Sequence, residues 1–109
     1  ALIITGGANV QPEEVEAVVA AADGVDECVV VGIPEATWGQ LVCAVITSAR
    51  PDAPSRGDLR RHVATHLTRY KRPRRYVLIP GPLPVGRSGK VDRGVVLDLV
   101  QSGAGREIS

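Results

Sequence analysis

The sequence contains no methionine and no phenylalanine, and its only aromatic residues are Trp38, Tyr70 and Tyr76. Its core must therefore be aliphatic, built chiefly from Val, Leu, Ile and Ala. The same scarcity leaves no stacking platform for single-stranded nucleic acid, which uses several aromatic rings. There are two cysteines, Cys28 and Cys43, and no C-x-x-C pair, so no disulfide framework is read. Both lie in apolar runs and read as small buried core residues. The net charge of +1 argues against a strongly polyanionic partner. No apolar run is long enough to span a bilayer. The opening Ala-Leu-Ile-Ile-Thr-Gly-Gly is too short, and lacks the basic front, of a signal peptide. A cytoplasmic location is expected. The chain has no initiating Met and opens directly on an apolar run, which reads as a piece cut from something longer.

What is present fits a single soluble domain: 109 residues, 44% hydrophobic and 23% charged. Residues 2–5 read as a short strand stopped by Gly6 and Gly7. Pro12 suits the first position of a helix, with Glu13 and Glu14 favoured by the helix dipole in the first turn. Val15, Val18, Val19 and Ala22 recur at helical spacing, and Asp23-Gly24 ends that helix. Residues 28–33 and 41–47 are β-branched apolar runs, expected as buried strands, with a loop at 35–40 holding Trp38. Ser55 is a plausible N-cap, with Asp58 three residues on. Leu59, Val63, Leu67 and Tyr70 then form one helical face that Pro73 stops. Residues 76–79 read as a strand, 80–89 as a Gly/Pro-rich loop and 91–100 as a last helix. The tail, 102–109, is expected to be disordered. The expected fold is α+β: a small mixed sheet of about three to four strands with helices packed on it.

Three features invite a chemical reading. The stretch Gly81-Pro-Leu-Pro-Val-Gly86-Arg87-Ser88 has the glycine spacing of a phosphate-binding loop. Arg87 stands where that loop needs Lys, however, and Pro82 and Pro84 lack the N–H groups that would cradle phosphate. His62 and His66 share a helix face at metal-ligand spacing, but no third ligand accompanies them, so they read as a solvated pair and no metal site is assigned. Lys90 follows Gly89 at the end of a glycine-containing loop. Alone it reads as a solvated charge; on a mobile loop it can be delivered into a site built by another domain, where it stabilises developing negative charge. Spacing does not choose between the two.

Four segments in order resemble the C-terminal domain of adenylate-forming enzymes, most like acyl-CoA synthetases. They are the run from Ile3 to Pro12 with Glu14-Val15-Glu16; the run from Val29 to Pro34 with Trp38-Gly39-Gln40; the run from Arg69 to Arg74; and Leu83-Pro84 with the run from Ser88 to Arg93. The resemblance covers about residues 2 to 98. It implies that residues 1–101 are the mobile C-terminal domain of an ATP-dependent acid–CoA ligase, which makes an acyl-adenylate and passes the acyl group to CoA. Lys90 would then be the catalytic lysine, reaching the acid's carboxylate. Gly6, Gly7, Ala8 and Lys71 would border the thiol channel and CoA, the glycines because a backbone approached closely by a ligand tolerates no side chain. ATP, CoA and Mg2+ would be the cofactors, held mainly by a large N-terminal adenylation domain, the principal partner, which also holds the carboxylic acid. Ala8, Gln11 and Gln40 depart from residues common in the family: Glu, an aromatic and Glu. Two other readings stand beside this one: an enzyme that loads an acyl-carrier protein, and a stand-alone binding module. The basic run from Arg69 to Arg75 favours CoA over a carrier.

Overall fold

Val29, Val31 and Ile33 point to one side of the sheet and Val30 to the other, and this alternation sets the plan of the molecule. The computed structural model describes residues 2–109. Its strands are β1 (Ile3–Thr5), β2 (Ala8–Val10), β3 (Glu27–Glu35), β4 (Gly39–Thr47), β5 (Arg75–Leu78) and β6 (Arg106–Glu107); its helices are α1 (Pro12–Ala20), α2 (Arg56–Ala64) and α3 (Arg93–Gln101). β4 is central. It pairs with β3 antiparallel along nine residues, with β5 in parallel and with β1 at Thr5–Gly39. β2 and β6 close the two ends of the mixed sheet.

Both faces of the sheet are covered. On one, Val30, Val42, Ala44, Ile46 and Tyr76 pack under Val15 and Val19 of α1 and Leu59 and Val63 of α2. On the other, Val29, Val31, Cys43, Val45 and Val77 pack under Val96 and Val100 of α3. Each fully buried valine contributes about 1.5–2 kcal/mol by removal from water. The expected α+β class holds, with six strands rather than three or four. No helix among the described residues is long and apolar enough to cross a membrane.

The segments that depart from expectation do so for local reasons. β3 runs on to Glu35 through Pro34, so the Trp38 loop is only a tight turn. Pro34 is tolerated because it shares the parity of Val30, whose N–H and C=O face the unpaired edge of β3. The helix expected to reach Tyr70 stops at Ala64. Thr65 turns its hydroxyl onto the carbonyl of His62 at 2.9 Å, and the Arg72 guanidinium takes the carbonyls of Leu67 at 2.9 Å and Ala64 at 3.3 Å. Leu67 still enters the core, while Tyr70 sits exposed in a 3-10 turn at Arg69–Lys71. The last helix begins two residues late, at Arg93, because Asp92 caps it by accepting from the Val95 N–H at 3.1 Å.

The tail is the largest correction. Residues 106–107 pair with β5, the Ile108 N–H donates to the Tyr76 carbonyl at 2.8 Å, and Ile108 is buried in the core. Arg75 holds the Glu107 carboxylate with both Nε and Nη2, at 3.0 and 2.7 Å to Oε1. One buried isoleucine and a forked ion pair fix a segment whose composition alone reads as loose.

The free edge of β3 is guarded by side chains. The Val30 N–H donates to the Glu16 carboxylate at 2.8 Å, its carbonyl accepts from Arg93 at 3.0 Å, and Glu16 and Arg93 pair with each other. An ion pair reaching across from α1 and α3 thus replaces a neighbouring strand and blocks edge-to-edge addition. Glu16→Ala is expected to cost about 1–2 kcal/mol, because it leaves the Val30 N–H without its acceptor, while Arg93 keeps the Glu13 carboxylate and the Val30 carbonyl. Glu16→Gln, which keeps an acceptor for Val30, should lose less. Urea denaturation midpoints measure the difference, and an unchanged midpoint for Glu16→Ala would show the pair to be surface charge only.

Candidate functional site

Lys90 stands on a hairpin, not on a loose loop. Val85 and Val91 form a bridge, the Gly86 N–H donates to the Lys90 carbonyl at 2.8 Å, and the Gly89 N–H closes a turn onto the Gly86 carbonyl at 3.0 Å. Gly89 has φ +82°, a left-handed conformation that glycine adopts without strain. The hairpin's base is fixed at both ends. Leu83 is buried and its N–H donates to Glu27 at 3.2 Å, and the Asp92 N–H donates to the Pro84 carbonyl at 2.9 Å just ahead of α3. Lys90 itself is exposed and, among the described residues, has no ion-pair partner. The same geometry disposes of the phosphate-loop spacing: Gly86 to Gly89 form this turn, and the next helix starts at Arg93.

Gly6 and Gly7 make the turn between β1 and β2, with φ +57° and +82°. The Gly6 N–H donates to the Trp38 carbonyl at 2.8 Å, joining this turn to the β3–β4 turn. A Cβ on Gly6 would come within 3.0 Å of the Trp38 ring, whereas one on Gly7 would meet nothing within 4 Å. Glu35 shapes the second turn by accepting from the N–H groups of Thr37 at 3.0 Å and Trp38 at 2.7 Å. The Arg74 guanidinium lies 4.0 Å from the centre of the half-exposed Trp38 ring, a cation–π contact. Gln40, one of the departures noted above, ties β1 down by accepting from the Ile4 N–H at 2.8 Å. Ala8, half-buried in β2, follows directly.

Lys71 is turned toward α1 and pairs with Glu14 at 3.0 Å; that hydrogen bond raises its pKa above the ordinary lysine value. Gly6, Gly7, Ala8, Trp38 and Arg74 thus gather at one end of the sheet. Lys90 does not join them. Its hairpin leaves the body beside Glu27 and Val30, and Val30 is about 17 Å from Glu35 at the usual strand rise.

The remaining candidates are structural. His62 bonds the Val18 carbonyl at 2.7 Å, pinning α2 to α1, and His66 bonds the Thr65 hydroxyl at 2.9 Å. His66 is exposed and His62 half-buried, so the pair is only partly solvated. No three His, Cys, Asp or Glu side chains among the described residues converge as a metal ion would need. Cys28 and Cys43 lie on opposite faces of the sheet, so they cannot bridge. Burial pushes the Cys43 thiol up to about 12 and Cys28 higher still, which leaves both unreactive. Cys43 is fully buried as expected; Cys28 is only partly so. Sequence reasoning missed the Trp38–Arg74 stack and the Glu16–Arg93 clamp, whose partners are far apart along the chain.

Comparison with known proteins gives a consistent picture. The model of the AMP-binding enzyme C-terminal domain matches residues 14–90. The chain is 40% identical over 103 residues to 4-chlorobenzoate–CoA ligase of Pseudomonas sp. (strain CBS-3), covering 93% of this chain and 19% of the relative. It is 36% identical over 107 residues to a fatty acid–[acyl-carrier-protein] ligase of Streptomyces coeruleorubidus, covering 98% and 20%. Among solved structures, a Mycobacterium tuberculosis fatty acyl CoA synthetase superposes with a TM-score of 0.85 at 29% identity, over 94% of this chain and 20% of that one. The chain therefore spans about a fifth of the length of the proteins it matches.

Proposed function

Since the chain belongs to the AMP-binding enzyme C-terminal domain family, we propose that it is the small mobile domain of an ATP-dependent acid–CoA ligase, a domain that runs on through Ile108. The observation that carries this reading is Lys90, a cation with no ion-pair partner among the described residues, at the end of a tight glycine hairpin whose base is tied to the sheet. Such a group is presented outward, ready to enter a site that another domain builds. There its charge would hold the carboxylate of the acid against the α-phosphate of ATP and stabilise the charge that builds as the acyl-adenylate forms.

On the same reading, the Gly6–Gly7 turn borders the path of the thiol in the second half-reaction, in which the thiol attacks the adenylate and releases AMP. Ala8 lies beside that path. Lys71 and its neighbouring arginines serve the phosphates of CoA, although Lys71 must first give up or share Glu14. Mg2+, the acid and most of the ATP contacts belong to the larger N-terminal domain. Among the described residues no three His, Cys, Asp or Glu side chains converge to hold the cation. A cytoplasmic location goes with this chemistry.

A second reading has its own support: one relative at 36% identity is a fatty acid–[acyl-carrier-protein] ligase. The test is acid-dependent ATP–pyrophosphate exchange by the full-length protein, followed by acyl transfer to CoA and, separately, to a carrier protein. Exchange with transfer to CoA supports the ligase. Exchange with transfer only to the carrier supports the second reading. Absence of exchange across a broad acid panel would count against both.

A further inference from the structure

Arg93 opens α3, directly after the Asp92 cap. A cation in that turn faces the positive end of the helix dipole, which disfavours it. The partners of the side chain account for the placement. Its guanidinium takes both oxygens of Glu16, with Nη2 at 3.2 Å from Oε1. The same Nη2 lies 3.4 Å from Glu13, and Nη1 donates to the Val30 carbonyl at 3.0 Å. One residue of α3 is thus bound to α1 and to β3 at once. Guarding the β3 edge does not need so much. The Glu16 carboxylate alone satisfies the Val30 N–H, and water can satisfy a carbonyl at an open edge.

A second observation concerns the path from this anchor to the exposed lysine. Only Val91 and Asp92 separate Arg93 from Lys90, and both are fixed. Val91 bridges to Val85 and packs against the core layer beneath α3. The Asp92 N–H donates to the Pro84 carbonyl at 2.9 Å while its carboxylate caps the helix. The other foot of the hairpin, Leu83, is held by Glu27, which is itself fixed by accepting from the Thr47 hydroxyl at 3.0 Å. No free joint therefore lies between the Arg93 fork and the Lys90 backbone. At full extension the span is about 10 Å, so a tilt of about 6° at the anchor moves the Lys90 backbone by about 1 Å. An error of about 1 Å at a reacting group can cost about 10²-fold in rate.

We infer that Arg93 is a positioning residue for Lys90: its fork, closed on Glu16, Glu13 and the Val30 carbonyl, fixes the start of α3 and so aims the hairpin that carries the lysine. Arg93 touches no reacting atom on this account. It acts through the backbone of Val91 and Asp92. What the aimed lysine does rests on the ligase reading; the steadying of the hairpin does not.

The test uses the full-length protein and two readouts. The first is amide hydrogen exchange of peptides spanning residues 84–92, where the Gly86, Gly89 and Asp92 N–H groups are bonded. Arg93→Gln should speed their exchange about tenfold, and Arg93→Lys, which keeps the charge but not the fork, should fall between. The second readout is kinetic. Arg93→Gln should slow acid-dependent ATP–pyrophosphate exchange about tenfold and change acyl transfer from supplied acyl-adenylate by less than about threefold, with Arg93→Lys recovering part of the loss. Ile108→Val, which shaves one methyl from the core at the far end of the chain, lowers stability without touching the hairpin and should leave both rates unchanged. Unchanged hydrogen exchange in Arg93→Gln would overturn the inference whatever the kinetics. A looser hairpin with both half-reactions slowed equally, or with neither slowed, would reduce Arg93 to a structural clamp and overturn its positioning role. If the wild type supports no ATP–pyrophosphate exchange with any acid, the ligase reading fails, and the hydrogen-exchange contrast alone decides whether Arg93 aims the hairpin.

Discussion

Lys90→Ala in the full-length protein should slow acid-dependent ATP–pyrophosphate exchange by about 10²–10³-fold, the usual cost of losing one preorganised charge at a reacting centre. Acyl transfer from supplied acyl-adenylate to CoA should change by less than about threefold, because on the proposed reading Lys90 serves the first half-reaction and the Gly6–Gly7 turn the second. Stability should not move: the side chain is exposed and has no ion-pair partner among the described residues, and the turn is held by backbone bonds that alanine also makes. Lys90→Arg is the informative companion. It keeps the charge but replaces a compact ammonium by a planar fork, so it should recover only part of the exchange rate. Equal damage to both half-reactions would remove Lys90 from its assigned role.

Gly7→Val should act on the other half-reaction. Acyl transfer is expected to fall about ten- to a hundredfold, and exchange by less than about threefold, because the branched side chain would narrow the path of the thiol. Within the chain a Cβ at Gly7 meets nothing within 4 Å, so no internal clash complicates the result. The backbone cost remains: φ is +82°, and a left-handed residue with a side chain loses about 1–2 kcal/mol. A thermal melt on each variant separates that loss from the kinetic effect. Gly6→Ala is the contrast, since its Cβ would press on the Trp38 ring at 3.0 Å and disturb the Arg74 stack as well. If exchange falls with Gly7→Val as far as acyl transfer does, Gly7 is needed for the fold of the turn and not for the channel.

These residues differ in how far the sequence reveals them. The long strands are legible because 28–33 and 41–47 are continuous β-branched runs, which a strand buried on both faces requires. α1 is legible from Pro12 and the two glutamates behind it. β2 and β6 are not, because three and two residues carry no period, and each depends on a partner that folding supplies. Ile108 looks like an isolated apolar residue until Tyr76 is placed beside it. The end of α2 is not legible for a related reason: the side chain that closes it, Arg72, belongs to a later segment. In the candidate site, Lys90 and the glycine turn could be picked out through the family resemblance. The rigidity of the hairpin could not, since it rests on backbone bonds between Gly86 and Lys90 that no composition announces.

The separation of the glycine turn from the lysine hairpin has a mechanical meaning. β3 and β4 run side by side for nine residues between them, stiffened by helices above and below. Neither end has to deform for the other to be used. If the proposed mobile domain turns as one body between the two half-reactions, the sheet would be a spindle with a different tool at each end, and one rotation would withdraw the ammonium as it brings the glycine turn forward. The conformational work then falls on whatever joins this body to its neighbour, and substitutions inside the spindle should alter how long the domain survives heating far more than how fast it swings.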